Sequence, residues 1–176
     1  MTYGEMRDYV LKLLNRYSVD GQEVPMTYNC QADDVERIPA LIRDGLYYVT
    51  TAGCRLRTVA ELSPCGTEGD MVICRLPEDY YRMAGGGLIR LDDRGRISRY
   101  HRCRMIGGTQ IMIPAEDRGV YKLEYFRYPC VPEGLPEDDD LLDCPPEAAS
   151  ALAFYVAAHL AMEDNSFLYT VLYNEF

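Results

Sequence analysis

Residues 148–162 read AASALAFYVAAHLAM, and only Ser150 and His159 among them are polar. Asp143, Pro145, Pro146 and Glu147 come just before, and prolines and carboxylates both suit the first turn of a helix. A surface helix carries one apolar stripe, whereas this segment is apolar on every side. It therefore needs cover from all directions, from its own domain or from another subunit. It is shorter than the ~20 residues of a membrane span, and Glu147, Glu163 and Asp164 flank it closely. The pattern predicts a buried helix whose alanines let neighbours approach closely.

The remaining sequence can supply that cover. The chain has 176 residues, 48% of them hydrophobic and 26% charged, which suits a globular protein with a real core. Its formal net charge of −10 argues against a general nucleic-acid binder, which needs basic surface to displace counterions. The seven cysteines are scattered, with no C-x-x-C pair. An odd, dispersed set reads as reduced thiols rather than a disulfide framework. Met1 to Tyr17 mixes charged and apolar residues from the start, which predicts no signal peptide and a cytoplasm-like compartment.

Thr2 and Glu5 have capping-box spacing. Tyr3, Met6, Val10, Leu13, Leu14 and Tyr17 then recur at helical intervals, predicting an amphipathic helix ended by Asp20-Gly21 and a loop to about Asn29. A second helix is expected over residues 33–52, with a kink or two abutting helices at Pro39 and a stop at Gly53. Beyond Gly53 the period shortens to that of strands. Strands are expected over 55–62, 70–76, 88–91, 100–106, 109–113 and 120–128. Turns are expected at residues 63–66, a tight helical turn at 77–80 and a loop at Gly85-Gly86-Gly87. Asp92-Asp93-Arg94-Gly95 and Gly107-Gly108 have hairpin-turn composition.

Residues 130–146 are proline-rich and acidic, without a basic residue, and read as an irregular connector. After the apolar helix, Asp164 is the expected cap of a last amphipathic helix carrying Phe167, Leu168, Val171, Leu172 and Phe176. The expected fold class is α+β, a helical layer of about four helices drawn from both chain ends with an inserted antiparallel β unit. The corresponding segments are 1–54 (N-terminal helices), 55–130 (β unit), 131–144 (connector) and 145–176 (C-terminal helices). Leu13, Leu41, Ile42, Leu46 and Val49 are the expected partners of Leu152, Phe154, Val156 and Leu160.

Signals for chemistry are few. His101 and Cys103 have the wrong spacing and too few companions for a zinc site. His159 in its apolar helix reads as a hydrogen-bonded core or interface histidine. Gly85–Gly87 lacks the lysine-serine/threonine and the spacing of a phosphate loop. The Asp138–Asp140 and Asp92-Asp93 runs read as solvated turns rather than cation loops. No metal or cofactor is expected. The only nucleophile–base pair to name is Cys103 with His101, which defines one alternative, a small cysteine hydrolase.

Charge is more informative. Residues 75–104 hold eight arginines against four acids, while the connector holds six acids. Opposite patches on one protein suit head-to-tail association, in which one surface meets a different surface on the next copy; arginines merely facing solvent are the competing reading. The candidate subunit-contact residues are Arg94, Arg96 and Arg99 on the basic side, Asp138, Asp139 and Asp140 on the acidic side, and Phe154, Tyr155 and His159 on the apolar helix.

Five segments, MTYGEMRDYVLKLLNRYS, DDVERIPALIRDG, RLPEDYYRM, YKLEYFRYP and FYVAAHLAMEDNSFLYTVLYNEF, together resemble the head–tail connector (adaptor, or neck) proteins of tailed phages and prophages. The likeness lies in their order and spacing and covers nearly the whole chain. It implies a non-enzymatic virion protein that forms a ring between portal and tail around the DNA path. The implied partners are copies of itself (a dodecamer among the options, in solution or only on the portal), the portal protein, and a tail or head-completion protein. The implied location is the virion neck, after assembly in the host bacterial cytoplasm, with no membrane and no specific nucleic-acid binding. The family supplies no catalytic residues to carry over. In the family the last helix often continues past the Asn-Glu-Phe segment, whereas this sequence ends at Phe176. A protein-binding module unrelated to phage is the second alternative.

Overall fold

Thr2 and Glu5 satisfy each other's backbone at the start of the first helix. The Glu5 N–H donates to Thr2 Oγ1 at 3.2 Å, and the Thr2 N–H donates to Glu5 Oε2 at 2.9 Å. This capping box stabilises helix α1, Tyr3–Asn15, by about 1 kcal/mol. The computed structural model describes residues 1–15, 28–117, 119–132, 134–162 and 165–176. The expected stop at Asp20-Gly21 lies outside them. Among the described residues the protein is α+β, with four α-helices and two antiparallel sheets. The chain divides into two units, one made of Met1–Arg55 with Pro129–Phe176, the other of Leu56–Tyr128.

In the first unit, α2 spans Tyr28–Tyr48, starting five residues before the expected Asp33. It runs through Pro39 as one helix rather than two abutting ones, although proline forgoes one backbone donor there. The helical register changes later, at a π-helical turn over Val49–Gly53. There the buried Thr50 hydroxyl donates to the Leu46 carbonyl at 2.6 Å. Helix α3 spans Pro146–Ala161 with proline in its first turn. Helix α4 spans Ser166–Glu175. Its cap is Asn165, whose side chain accepts from the Leu168 N–H at 3.0 Å; Asp164, the expected cap, lies outside the described residues.

Helix α3 is the hub of this unit, and α1, α2 and α4 each pack on it. Its buried residues are Ala148, Ala149, Leu152, Ala153, Val156, Ala157, Ala158, Leu160 and Ala161. All of these but Ala148 join Met6, Val10, Leu13, Ile38, Ile42, Leu46, Leu168 and Leu172 in one cluster, with Leu41 and Phe154 partly buried against it. Each large aliphatic side chain buried there stabilises the fold by roughly 1.5–3 kcal/mol. Most of the cover thus comes from the same chain. Ala151, Phe154, Tyr155 and His159 remain half-buried, and Ser150 is exposed.

Among the described residues the second unit has eight strands, β1 Leu56–Glu61, β2 Pro64–Glu68, β3 Met71–Arg75, β4 Tyr80–Leu91, β5 Ile97–Tyr100, β6 Arg104–Ile106, β7 Gln110–Pro114 and β8 Val120–Arg127. They form two four-stranded sheets, ordered β1-β8-β4-β5 and β2-β3-β7-β6. Leu88, Tyr100, Tyr121, Leu123 and Tyr125 from the first sheet share a cluster with Cys74, Ile111 and Ile113 from the second. The expected single β unit is therefore a pair of sheets around one core.

Several local expectations change. Residues 64–68 are a strand rather than a turn. Pro77–Tyr80 is a turn closed by the Tyr80 N–H on the Pro77 carbonyl at 3.0 Å, and it opens directly into β4. Gly85–Gly87 is not a loop between strands but lies inside β4, where the register on β8 shifts between Met83 and Leu88. This is a bulge, the usual place for glycine within a strand. The expected strand 100–106 is broken at residues 101–103, because β5 belongs to one sheet and β6 to the other. Gly107 and Gly108 both have positive φ, 56° and 74°, inside the three-residue loop 107–109 that joins β6 to β7, where the Thr109 N–H donates to the Ile106 carbonyl at 3.3 Å.

Candidate interaction surface

Residues 151, 155 and 159 follow one another at helical spacing along α3, on the stripe that the other helices leave half-covered. The end of α2 brings Tyr48 beside this stripe, and α4 brings Tyr169, Tyr173 and Phe176, again at intervals of one turn. The rings form a continuous array. Tyr48 stacks on Tyr155 with centroids 5.9 Å apart, and Phe176 lies 5.5 Å from Tyr48 and 5.4 Å from Tyr155. The His159 imidazole sits 4.1 Å from the Tyr155 ring and 6.3 Å from both Tyr169 and Tyr173. Tyr173 closes the array, 5.8 Å from Phe176. His159 Nδ1 lies 2.8 Å from the Tyr155 carbonyl, so the histidine is hydrogen-bonded to its own helix. Burial pushes the Tyr155 phenol above its ordinary value, aided by the negative charge of Asp44.

The outer rim of this array is open. Tyr48 is 49% and Tyr173 40% exposed, and Phe167 and Met162, at the ends of α4 and α3, are 76% and 57% exposed. Of the three expected contact residues on the apolar helix, Tyr155 and His159 belong to the array, whereas Phe154 packs against the helical core. Tyr48, Tyr169 and Tyr173 are not among the residues expected from the sequence, and Phe176 is expected only as part of the apolar face of the last helix. The last three could have been found from their i, i+4, i+7 spacing, but Tyr48 is brought in only by packing.

The acidic candidates are tied to α1 of their own chain. Asp138 takes a forked ion pair from Arg7, at 2.6 Å and 3.2 Å, and its carbonyl accepts the Gly4 N–H at 3.0 Å. The Asp140 carbonyl accepts the Tyr3 N–H at 2.8 Å, and its carboxylate accepts the Glu137 N–H at 2.8 Å. Asp139 is exposed. Asp138 sits at the N-terminal end of α1, where a negative charge is favoured.

The basic candidates lie on the β4–β5 hairpin. Arg94, Arg96 and Arg99 are exposed, and the turn is held by the Asp92 carboxylate, which accepts the N–H groups of Arg94 and Arg96 at 2.9 and 2.8 Å. Two other arginines of the 75–104 run have acidic partners beyond that run. Arg102 pairs with Glu116 at 2.6 Å and with Asp117 at 3.2 Å, and Arg90 approaches Asp117 at 3.8 Å. The Tyr100 phenol also donates to Asp117. The basic excess read from the run alone is therefore smaller on the folded protein.

Cys103 is half-buried against the core of the β unit, and burial pushes its thiol up, opposite to what a nucleophile needs. His101 is exposed. Among the described residues no cluster of three or more His, Cys, Asp or Glu is placed to hold a metal, and no helix is long and apolar enough to cross a membrane. No protein-family model matches the chain, and no curated protein matches it.

Proposed function

We propose that this chain is a structural subunit of a tailed phage or prophage, a head–tail connector that assembles as a ring between portal and tail around the DNA path. The observation that carries the reading is the open aromatic array of Tyr48, Tyr155, His159, Tyr173 and Phe176. Tyrosine and phenylalanine give large, stiff contact area and are enriched where proteins meet. An array spread over three helices and left open in one copy suits a protein that works in contact with others. The ordered sequence motifs support the same reading, and a net charge of −10 suits a conduit that must pass DNA without gripping its phosphates. The implied partners are the chain itself, the portal, and a tail or head-completion protein.

The test is to mix the protein with its cognate portal ring and follow particle mass and shape by mass photometry and electron microscopy. The native chain is expected to add a layer of copies to the portal. Tyr48→Asp with Tyr173→Asp, both at exposed positions, is expected to leave thermal unfolding nearly unchanged and to weaken that addition strongly. A native chain that never joins the portal, at any concentration reached, would rule the reading out.

A further inference from the structure

On the outer face of the first sheet, register sets two unlike rows side by side. Leu91 of β4 pairs with Ile97 of β5 on one side and with Val120 of β8 on the other, giving an apolar row. Ile97 is 76% and Val120 39% exposed. Two residues along, Ile89 pairs with Arg99 and with Lys122, giving a basic row whose far end faces Glu61 of β1. Alternation along the strands puts Tyr100, Tyr121 and Leu123 on the opposite, buried face. Arg94 and Arg96 lie at the hairpin turn, on the other side of the apolar row from Arg99 and Lys122. The Asp92 carboxylate is taken up by backbone N–H groups, which leaves Asp93 as the exposed acid of that turn.

The connector has the complementary composition. Leu135 and Leu141 are 86% and 77% exposed, and between them lie Glu137, Asp138, Asp139 and Asp140. Arg7 pairs with Asp138. The loop is already fastened, by the hydrogen bonds from Tyr3 and Gly4 and by the bridge between Thr2 and Leu141. A partner that captures it has little ordering entropy to overcome.

We infer that the β5-side outer face of the first sheet receives the Leu135–Leu141 loop of a second copy. The leucines lie on the Ile97–Leu91–Val120 row, and the carboxylates reach the basic groups that flank it, Arg99 and Lys122 on one side and Arg96 at the turn on the other. Charge complementarity and the matching apolar content on both sides identify the occupant as another copy of this chain. The two surfaces differ, so the contact is heterologous: each copy offers a loop to one neighbour and a sheet to the other, and the series closes into a ring when the rotation fits. Closure into a ring rests on the connector reading above; the pairwise contact does not.

The chain has only two lysines, Lys12 and Lys122, which makes carbodiimide coupling of lysine to carboxylate a clean probe. An equal mixture of isotope-labelled and unlabelled protein is expected to yield mixed-label peptides joining Lys122 to Glu137 or Asp139. Arg96→Glu with Arg99→Glu, or Glu137→Arg with Asp139→Arg, is expected to weaken self-association by about tenfold or more, the scale of a lost charge-assisted contact. Mixing the two variants is expected to restore association, because one sheet and one loop then match again. Couplings found only within single copies, reversals without effect on association, or a mixture that fails to recover would each overturn the contact. If the contact is overturned while the native chain still layers onto a portal, the connector reading survives. If charge-swapped rescue is seen but the portal is never bound, the contact stands and the connector reading falls.

Discussion

Gly45 of α2 and Tyr155 of α3 stand so close that a methyl group on Gly45 would lie 2.8 Å from Cδ1 of the tyrosine ring. The same methyl would lie 2.5 Å from Cδ1 of the fully buried Leu152. The missing side chain is what lets α2 lie against α3 at this point, and the same contact holds Tyr155 where Tyr48 stacks on it. Gly45→Ala gains helix propensity but overpacks the site. It is expected to destabilise the helical unit by about 1–3 kcal/mol, measured by urea unfolding, and to disturb the aromatic array, read from near-ultraviolet circular dichroism.

Gly86 in the β unit faces a more movable neighbour. A methyl there would lie 2.7 Å from the carboxyl carbon of Glu124, whose oxygen pairs with Arg57. Gly86→Ala displaces only the far end of a flexible side chain from a largely exposed arginine and is expected to cost about 1 kcal/mol or less. Adding Glu124→Ala removes the obstacle. The double variant is therefore expected to lie closer to Glu124→Ala alone than additivity allows, a coupling measurable in a double-mutant cycle.

Alkaline pH should unfold the β unit through its buried phenols. Tyr125 donates to Asp79 Oδ1 at 2.8 Å, and burial first, then this bond, push its pKa up to about 12. The folded state holds the proton more tightly than the unfolded chain. The resulting stabilisation is complete below the ordinary tyrosine value near 10 and is lost as pH rises through about 12, up to about 3 kcal/mol. Tyr100 and Tyr121 shift in the same direction, burial being the leading cause for both. Thermal unfolding followed from pH 9 to 12 is expected to show a falling midpoint, with a shallower fall in Tyr125→Phe.

Arg7→Ala should loosen the connector without unfolding the protein. The ion pair with Asp138 is partly exposed and contributes only about 0.5–1 kcal/mol. The amides of Tyr3 and Gly4, bonded to the connector carbonyls, are expected to exchange hydrogen faster in the variant, with core amides of α3 unchanged.

Sequence alone determined the class of this fold, because periodicity and turn chemistry are local. Thr2 and Glu5 cap a helix from three residues apart. Val120 to Arg127 alternates as a strand, and residues 148–161 cannot be anything but a covered helix. The glycines at 107 and 108 permit the positive φ that their turn uses. Where the reading erred, a residue's local preference gave way to its neighbours. Gly85–Gly87 looks like a loop until β8 pairs on both sides of it, and the two abutting helices that are one option at Pro39 form a single helix. Residues 100–106 look continuous because sequence carries no mark of a strand leaving one sheet for another.

The candidate surface was legible only in part for the same reason. Tyr155 and His159 stand out because they interrupt an alanine-rich helix, and the acidic and arginine-rich runs are visible as composition. Which charges are already spent is a property of distance across the chain. Arg7 reaches Asp138 over more than a hundred residues, and Glu116 and Asp117 reach back to Arg102. That Tyr48 meets Tyr155 depends on a glycine one turn earlier, and that Ile97, Leu91 and Val120 line up depends on strand register. Contacts between residues far apart in sequence form only when the core closes, so only the tertiary structure could decide them.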